Sequence, residues 1–354
     1  MASILFTGAA GLLGGELAAR LLARGHGVTA LINRNKDVRG NDGAMLRSAD
    51  WTGAAPRAGE LLLLGGDLVR DGFGWDGGTH NALAAAHDLL IHCAAVTQFD
   101  AAPEVHRAVN VEGTRRAAAL AAAGGMRLLH VSTAYVCGTR NGPIPEAPRD
   151  PAPFANGYEE SKAAAEEVVR GSGVPAAIAR PSIVVGEWAS GRIRSFDTIY
   201  AAFRLIAEGR VRAMPASPRA TLDFVPIDHV VAGLVVMAEN MDGAAGRTVH
   251  LASGAPVPVA TFRDAIAAVP HFHVPELVAP AAFDPARLSP LERRLHGRIT
   301  GLYASYFQRD PRFVVAALPA LGGPACPPTD AAFLARLIGY GIAAGFLPLT
   351  KRER

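Results

Sequence analysis

The chain has 354 residues, half of them hydrophobic and 19% charged, with 35 basic and 32 acidic side chains for a net charge of +3. At roughly 100–200 residues per domain this is one large domain or two intertwined ones, with enough apolar content to exclude a mostly disordered chain. The balanced charge argues against a nucleic-acid partner, and the three scattered cysteines (Cys93, Cys137, Cys326) imply neither a zinc site nor a disulfide framework and fit a reducing, cytoplasmic setting.

Short apolar runs alternate with helical segments through the first half. Ser3 to Phe6 predicts a strand at once, with no basic targeting region before it, and Leu13 to Arg24 predicts a helix. Strands are expected at Val28 to Ile32, Leu61 to Leu64, Leu89 to His92, Leu128 to Ser132 and Ala176 to Arg180, with helices over Val109 to Ala123 and Ser161 to Arg170. This alternation predicts an α/β fold with a parallel sheet covered by helices on both faces. After Pro181 proline, glycine and arginine become frequent and the alternation fades, although Leu222 to Ile227 and Thr248 to Ala252 read as further strands. Leu291, Leu295, Ile299, Leu302 and Tyr306 follow helical spacing with arginines between them, so Leu291 to Arg309 reads as a basic amphipathic helix. Two readings fit it: a helix packed on the second domain, or, with Lys351 to Arg354, weak contact with an anionic membrane surface. The uncharged stretch Phe313 to Thr329 is too broken by proline and glycine to span a membrane.

Between the first strand and helix lies Thr7-Gly8-Ala9-Ala10-Gly11-Leu12-Leu13-Gly14. Gly8 permits a tight turn, Gly11 lets backbone approach a pyrophosphate, and Gly14 lets the helix pack close to the strand. Phosphates then sit at the helix N-terminus, where free N–H groups and the macrodipole favour negative charge. The surrounding strand, loop, helix and strand give the motif the context it requires. The fold expected is therefore a Rossmann-type doubly wound sheet. Residues 1–180 would form the dinucleotide-binding domain, with 222–235 and 248–252 returning to it. Residues 181–354 would form mainly a smaller, partly intertwined substrate-binding and C-terminal helical region. No acidic residue follows the second strand before Asp37; Asn33-Arg34 stands there instead, and Arg34 offers a cation to a 2′-phosphate. The expectation is NADP(H) in preference to NAD, the other reading being that Arg34 and Lys36 are ordinary solvated charges.

Tyr158 and Lys162 are four residues apart and share a helix face. A nearby ammonium favours phenolate, so the tyrosine is expected below its usual pKa of about 10 and fit for acid/base work. Such a pair is also common on helix surfaces. Here, however, Ser132-Thr133 ends the strand Leu128 to Ser132, where open α/β sheets bind ligands, and Arg180-Pro181-Ser182-Ile183-Val184 follows the next strand as a wall for a nicotinamide. Elsewhere, His130 is expected to point into the core, Asp223 and Asp228 read as structural turn groups, and His271 and His273 lack companions for a metal site.

The glycine loop, Asp67, Cys93-Ala94-Ala95, Asn110, Ser132-Thr133 and the Tyr158/Lys162 pair together resemble the extended short-chain dehydrogenases/reductases over about residues 1–260. The resemblance implies Tyr158 as acid/base, Lys162 as binder of the nicotinamide ribose and Thr133 as the hydroxyl that orients the carbonyl. It further implies adenine contacts from Asp67 and Leu68, a cofactor groove lined by Ala10, Leu12, Leu13, Ala94, Ala95 and Val96, and a supporting role for Asn110. Asp67 as a turn residue and Asn110 as a helix cap are the plainer alternatives. Within the superfamily, Val131 to Val136, Arg180 to Gly186 and Leu222 to Asp228 are most similar to the acyl-thioester and fatty acyl-CoA reductase branch. Leu337 to Phe346 is loosely similar to the tail of such reductases, whereas Asn35 to Gly59 is shorter and poorer in lysine than in carrier-tethered ones. The activity implied is reduction of an acyl thioester, on CoA or a carrier protein, to an aldehyde and onward to an alcohol. A nucleotide-sugar epimerase or dehydratase, a ketone or alcohol dehydrogenase, and a non-catalytic NADP-binding sensor remain as alternatives; an oligomer is compatible with any of them. Phe99, Ala134, Trp188, Phe196 and Phe224 are the candidates for the substrate pocket.

Overall fold

The computed structural model describes residues 1–197, 199–296 and 303–349. The chain opens with β1 (Ser3–Thr7), α1 (Leu12–Ala23), β2 (Gly27–Ile32), β3 (Ala49–Asp50), β4 (Leu61–Gly65), α2 (Gly77–Ala86) and β5 (Leu89–His92). Next come α3 (Pro103–His106), a π-turn at Arg107–Glu112, α4 (Gly113–Gly124), β6 (Arg127–Val131), β7 (Gly142–Ile144), α5 (Gly157–Arg170) and β8 (Ala176–Pro181). The second half continues through β9 (Ile183–Val185), α6 (Ile199–Ala207), β10 (Ala213–Pro215), β11 (Thr221–Leu222), β12 (Phe224–Pro226), α7 (Ile227–Glu239), α8 (Met241–Ala244) and β13 (Thr248–Leu251).

Eight of these strands form one parallel sheet in the order β13-β8-β6-β5-β1-β2-β4-β3. Parallel strands are covered on both faces, and the side-chain period of two sends alternate residues to opposite layers. Ile4, Phe6, Leu89, Ile91, Leu129 and Val131 enter the core beneath α1 and α7. Leu5, Leu90 and Leu128 enter the opposite core with Leu83 of α2 and Ala117, Leu120 and Ala121 of α4. A third apolar cluster, around Tyr135, Phe203, Phe262, Phe307 and Phe333, holds the second lobe together. From β1 the chain winds outward to β2 and β4, then crosses back to β5, so neighbouring strand exits diverge between β1 and β5. This switch point is where open α/β sheets leave a ligand crevice.

Several elements differ from the sequence-based expectation for identifiable reasons. The α5 helix starts at Gly157 rather than Ser161, because Asn156 caps it by accepting from Glu159 N at 2.9 Å. The segment expected as a helix from Val109 begins earlier, at Pro103, and passes through the π-turn. The single strand expected over Leu222 to Ile227 breaks at the buried Asp223 and ends where α7 begins. Its second part, β12, pairs with β9 outside the large sheet, while α7 packs on α1 and β13 joins the sheet edge beside β8.

The basic amphipathic helix over Leu291 to Arg309 is not formed as expected. A capping box starts a helix at Pro290–Leu295, residues 297–302 lie outside the described residues, and Ala304–Phe307 is a 3-10 turn. Arg309 faces inward: 4% exposed, it donates to Gly138 O at 2.6 Å and to Glu159, which is 0% exposed, at 2.5 Å. Tyr306 OH also donates to Glu159, at 2.9 Å. Arg309 is thus unavailable to a membrane surface, and Lys351 to Arg354 lie outside the described residues. Among the described residues no helix is long and apolar enough to cross a membrane.

This ion pair joins the segment 303–313 to the helix that bears Tyr158. Removing one partner of such a pair strands a buried charge, which costs about 3–5 kcal/mol. Glu159→Gln is expected to lower the unfolding free energy by about that amount, read from urea denaturation. The double variant Glu159→Gln/Arg309→Met is expected to recover part of the loss.

Candidate active site

The glycine loop is shaped by two approaches that exclude a side chain. Gly8 adopts φ +88°, and a Cβ there would lie 2.5 Å from Ala94 N. A Cβ on Gly14 would lie 2.0 Å from Gly8 O. Gly11 stands at the N-cap of α1 in an extended conformation with no side chain capping the helix, which leaves its first-turn N–H groups to a ligand.

Two cavities meet at Gly8. The first, of about 240 Å³, brings together Ala10, Asn33, Arg34, Asp67, Leu68 and Ala94. Asp67 is held by an Asx-type bond from Val69 N at 3.0 Å, and Arg34 forms no ion pair among the described residues. The second cavity, of about 410 Å³, is lined by Gly11, Leu12, Leu13, Gly14 and Ala95 on one side and by Pro181, Ser182, Ile183 and Val184 on the other. Thr133, Tyr158 and Lys162 line the same cavity, so these residues, far apart in the chain, share one space with the glycine loop.

Val96 and Asn110 are not among the cavity-lining residues. The π-turn carries Asn110 inward, fully buried, where Oδ1 accepts from Val96 N at 2.8 Å. Its Nδ2 donates to Val96 O at 3.0 Å and to Ser161 Oγ at 2.9 Å. Asn110 thereby ties the loop after β5 to α5 rather than capping a helix.

Lys162 is buried, and its Nζ donates to Val131 O at 2.7 Å and, over a long 3.4 Å, to His130 Nε2. Loss of hydration lowers the ammonium to about 8, partly offset by Cys93 and Glu166. Tyr158 differs from the sequence-based expectation. Burial raises its phenol above the ordinary value, with the hydroxyl of Thr133 working the other way. Lys162 spends its hydrogen bonds on β6 and not on the phenol, so the expected lowering is absent. Thr133 follows β6, where its Oγ1 donates to Pro181 O at 3.4 Å and accepts from Tyr135 N at 3.3 Å.

Of the substrate-pocket candidates, Phe99 alone lines the cavity among the described residues. Its ring stacks 5.7 Å from that of Tyr158. Ala134 and Phe224 are buried in the second-lobe core instead. Trp188 lies under Arg336, its Nε1 bonded to Pro328 O at 2.8 Å, and Phe196 stacks on Phe346 at 4.2 Å. These aromatics pack the second lobe, the usual fate of large apolar rings. Conversely, Thr97, Tyr135, Asp197, Ile199, Tyr303 and Tyr306 line the cavity without having been anticipated. Tyr303 and Tyr306 pack on Phe99 at 5.3 and 5.7 Å, and Tyr306 is carried there by the Arg309–Glu159 pair. Asp223 is a buried acceptor for Ser182 Oγ at 2.6 Å and Ser253 Oγ at 2.9 Å, outside the cavity lining.

Paired cavities that join at a glycine, at the switch point of a doubly wound sheet and at an uncapped helix N-terminus, fit a dinucleotide. Such a crevice, with a tyrosine and a lysine one helical turn apart on its wall, defines a nicotinamide-dependent oxidoreductase class. The family of NAD-binding domains described as "Male sterility protein" matches residues 6–234, and the chain belongs to it, within the NAD(P)-dependent oxidoreductases of the extended short-chain dehydrogenase/reductase type. The aldehyde reductase lnaA of Aspergillus flavus is 27% identical over 207 residues, 54% of this chain and 20% of lnaA. The terminal R domain from the myxalamid PKS-NRPS biosynthetic pathway superposes with a TM-score of 0.80 at 25% identity, covering 98% of this chain and 92% of that one. MoeE5, solved in complex with UDP-glucose and NAD, gives 0.66 at 20% identity over 96% of this chain and 99% of its own, a likeness of fold. The chain spans a fifth or less of the length of the first curated relatives it matches.

The buried lysine has a consequence for stability. Its folded value of about 8 lies below its ordinary 10.5, so between the two the unfolded chain binds more protons and stability rises with pH. Urea unfolding of wild type and Lys162→Met near both ends of that window is expected to show wild type gaining on the variant as pH rises.

Proposed function

We propose that the chain is an NADPH-dependent reductase that converts an acyl thioester, carried by CoA or by a carrier protein, to the aldehyde. The observation that carries this reading is the convergence of Thr133, Tyr158 and Lys162 on the cavity that also holds Gly11 and Gly14. The acyl preference rests on the lining. Lys162 and Asp197 are the charged residues among the described ones there, while Phe99, Tyr135, Tyr303 and Tyr306 form an aromatic wall. A sugar nucleotide carries a diphosphate that needs cations, whereas an acyl group asks for apolar surface. Likeness to the R domain of a PKS-NRPS pathway supports the same choice and the carrier or CoA partner.

When bound, the nicotinamide supplies a hydride to the carbonyl carbon. As charge grows on the oxygen, the hydroxyls of Thr133 and Tyr158 stabilise it by hydrogen bonds. Tyr158 then transfers its proton to that oxygen. Its raised pKa serves this direction of reaction, because the phenol stays protonated at neutral pH. Lys162 holds the nicotinamide ribose. The resulting hemithioacetal expels thiol and leaves aldehyde. Arg34, unpaired in the adenosine half of the crevice, would hold the 2′-phosphate, and Asp67 with Leu68 would flank the adenine.

Tyr158→Phe is expected to bind NADPH normally and to lose roughly 10²–10⁴-fold in turnover, the scale of general acid catalysis. Absorbance at 340 nm with acyl-CoA measures it; unchanged turnover removes Tyr158 from the mechanism. Arg34→Ala is expected to raise the NADPH dissociation constant by about 10–100-fold, the worth of hydrogen bonds between charged groups, while leaving that for NADH unaltered. Wild-type protein that binds NADH more tightly than NADPH would overturn the cofactor assignment.

A further inference from the structure

His130 precedes Ser132-Thr133 on β6, and no step above uses it. It is fully buried, and its ring stacks on His92 with centroids 5.5 Å apart. The state of His92 follows from its bonds. Thr114 Oγ1 donates its one hydrogen to Asn110 O at 2.6 Å, so at 3.0 Å it accepts from His92 Nε2–H. Burial holds His92 down to about 3, so it is neutral, and its bare Nδ1 accepts from Thr7 Oγ1 at 2.7 Å. Its tautomer is thereby fixed.

His130 Nε2 lies 3.4 Å from Lys162 Nζ, and its Nδ1 has no partner among the described residues. An ammonium has three N–H groups and no lone pair. One goes to Val131 O and a second meets His130 Nε2, which leaves a single N–H for the crevice that Lys162 lines. We infer that His130 is a positioning residue: its neutral imidazole, with the hydrogen on Nδ1, accepts from Lys162 and holds the ammonium charged with its third N–H free for the nicotinamide ribose. This rests on the reading of Lys162 as the ribose-binding group.

The surroundings allow that assignment. Burial, then Lys162 and His92, hold His130 well below its ordinary pKa, so it stays an acceptor at neutral pH. The other titratable groups that interact with Lys162 are His92, kept neutral by burial, and the pair Cys93, beyond β5, and Glu166, on its own helix. Burial pushes the Cys93 thiol up to about 11, and Glu166 is bound by Arg180 at 2.8 and 2.7 Å. Near pH 8 neither changes charge, so a change in the titration of Lys162 on altering His130 reports His130.

The test is the NADPH dissociation constant, measured by calorimetry across neutral to alkaline pH for wild type, His130→Leu, His130→Gln and Lys162→Met. Wild type is expected to lose affinity as pH rises through about 8, where Lys162 deprotonates. His130→Leu removes the acceptor, and its loss of affinity should begin roughly one pH unit lower, the equivalent of one hydrogen bond to a charged group. His130→Gln, whose Oε1 can accept, should restore the wild-type profile. A wild-type profile in His130→Leu, with Lys162→Met weakened, overturns the role of His130 alone. NADPH binding by Lys162→Met equal to wild type at every pH overturns the reading of Lys162. Should His130→Leu fail to fold, histidine-selective 15N NMR of wild-type protein decides: hydrogen on Nδ1 with a bare Nε2 supports the inference, and hydrogen on Nε2 overturns it.

Discussion

The site depends on the absence of two Cβ atoms. Gly8 brings the exit of β1 against the backbone after β5, and Gly14 sets α1 directly on the carbonyl of Gly8. Those contacts place the uncapped N-terminus of α1 at the point where the strand order reverses, so a twisted sheet gains a crevice with N–H groups at its base. Any side chain at either position would part the helix from the strand and move the site. The remaining chemistry is assembled around this fixed backbone junction.

Helix α5 is held against that junction in an unusual way. Three of its charged side chains are buried, and each reaches a different element. Lys162 bonds to β6, Glu166 to Arg180 of β8, and Glu159 to Arg309 far along the chain. Buried charges add little net stability, because desolvation offsets most of their attraction. Their effect here is geometric: a helix bound at three points by partners that cannot be exchanged has one position on the sheet, and Tyr158 shares it. The neutral amide of Asn110 adds a fourth tie through Ser161.

The large sheet and the glycine loop could be read in the sequence because their causes are local. Buried parallel strands are short apolar runs, and the loop needs glycine at fixed intervals. The elements that differed are those set by a single cap or by partners elsewhere: Asn156 moves the start of α5, and buried Asp223 splits a strand. The proposed trio of Thr133, Tyr158 and Lys162 was readable as a spacing and a position, whereas the pKa of Tyr158 was not, since it depends on how deeply the folded chain buries the phenol. The aromatic wall was hidden for a similar reason. Tyr306 follows the helical spacing of Leu291, Leu295, Ile299 and Leu302, and nothing local shows that Arg309 will seek Glu159, 150 positions earlier. Trp188, Phe196 and Phe224 have the residue type of a pocket lining, yet type alone does not separate a pocket lining from a core.

The Arg309–Glu159 pair also bears on how this domain can be handled as a module. The family match closes at residue 234, which invites trimming there. A fragment cut at that border would keep the glycine loop and the tyrosine but leave the carboxylate of Glu159 without its counter-charge, and would forfeit Tyr303 and Tyr306, half of the aromatic wall. A portable unit that keeps this pair intact therefore reaches at least to Arg309, and grafts or domain exchanges should place their seams beyond it.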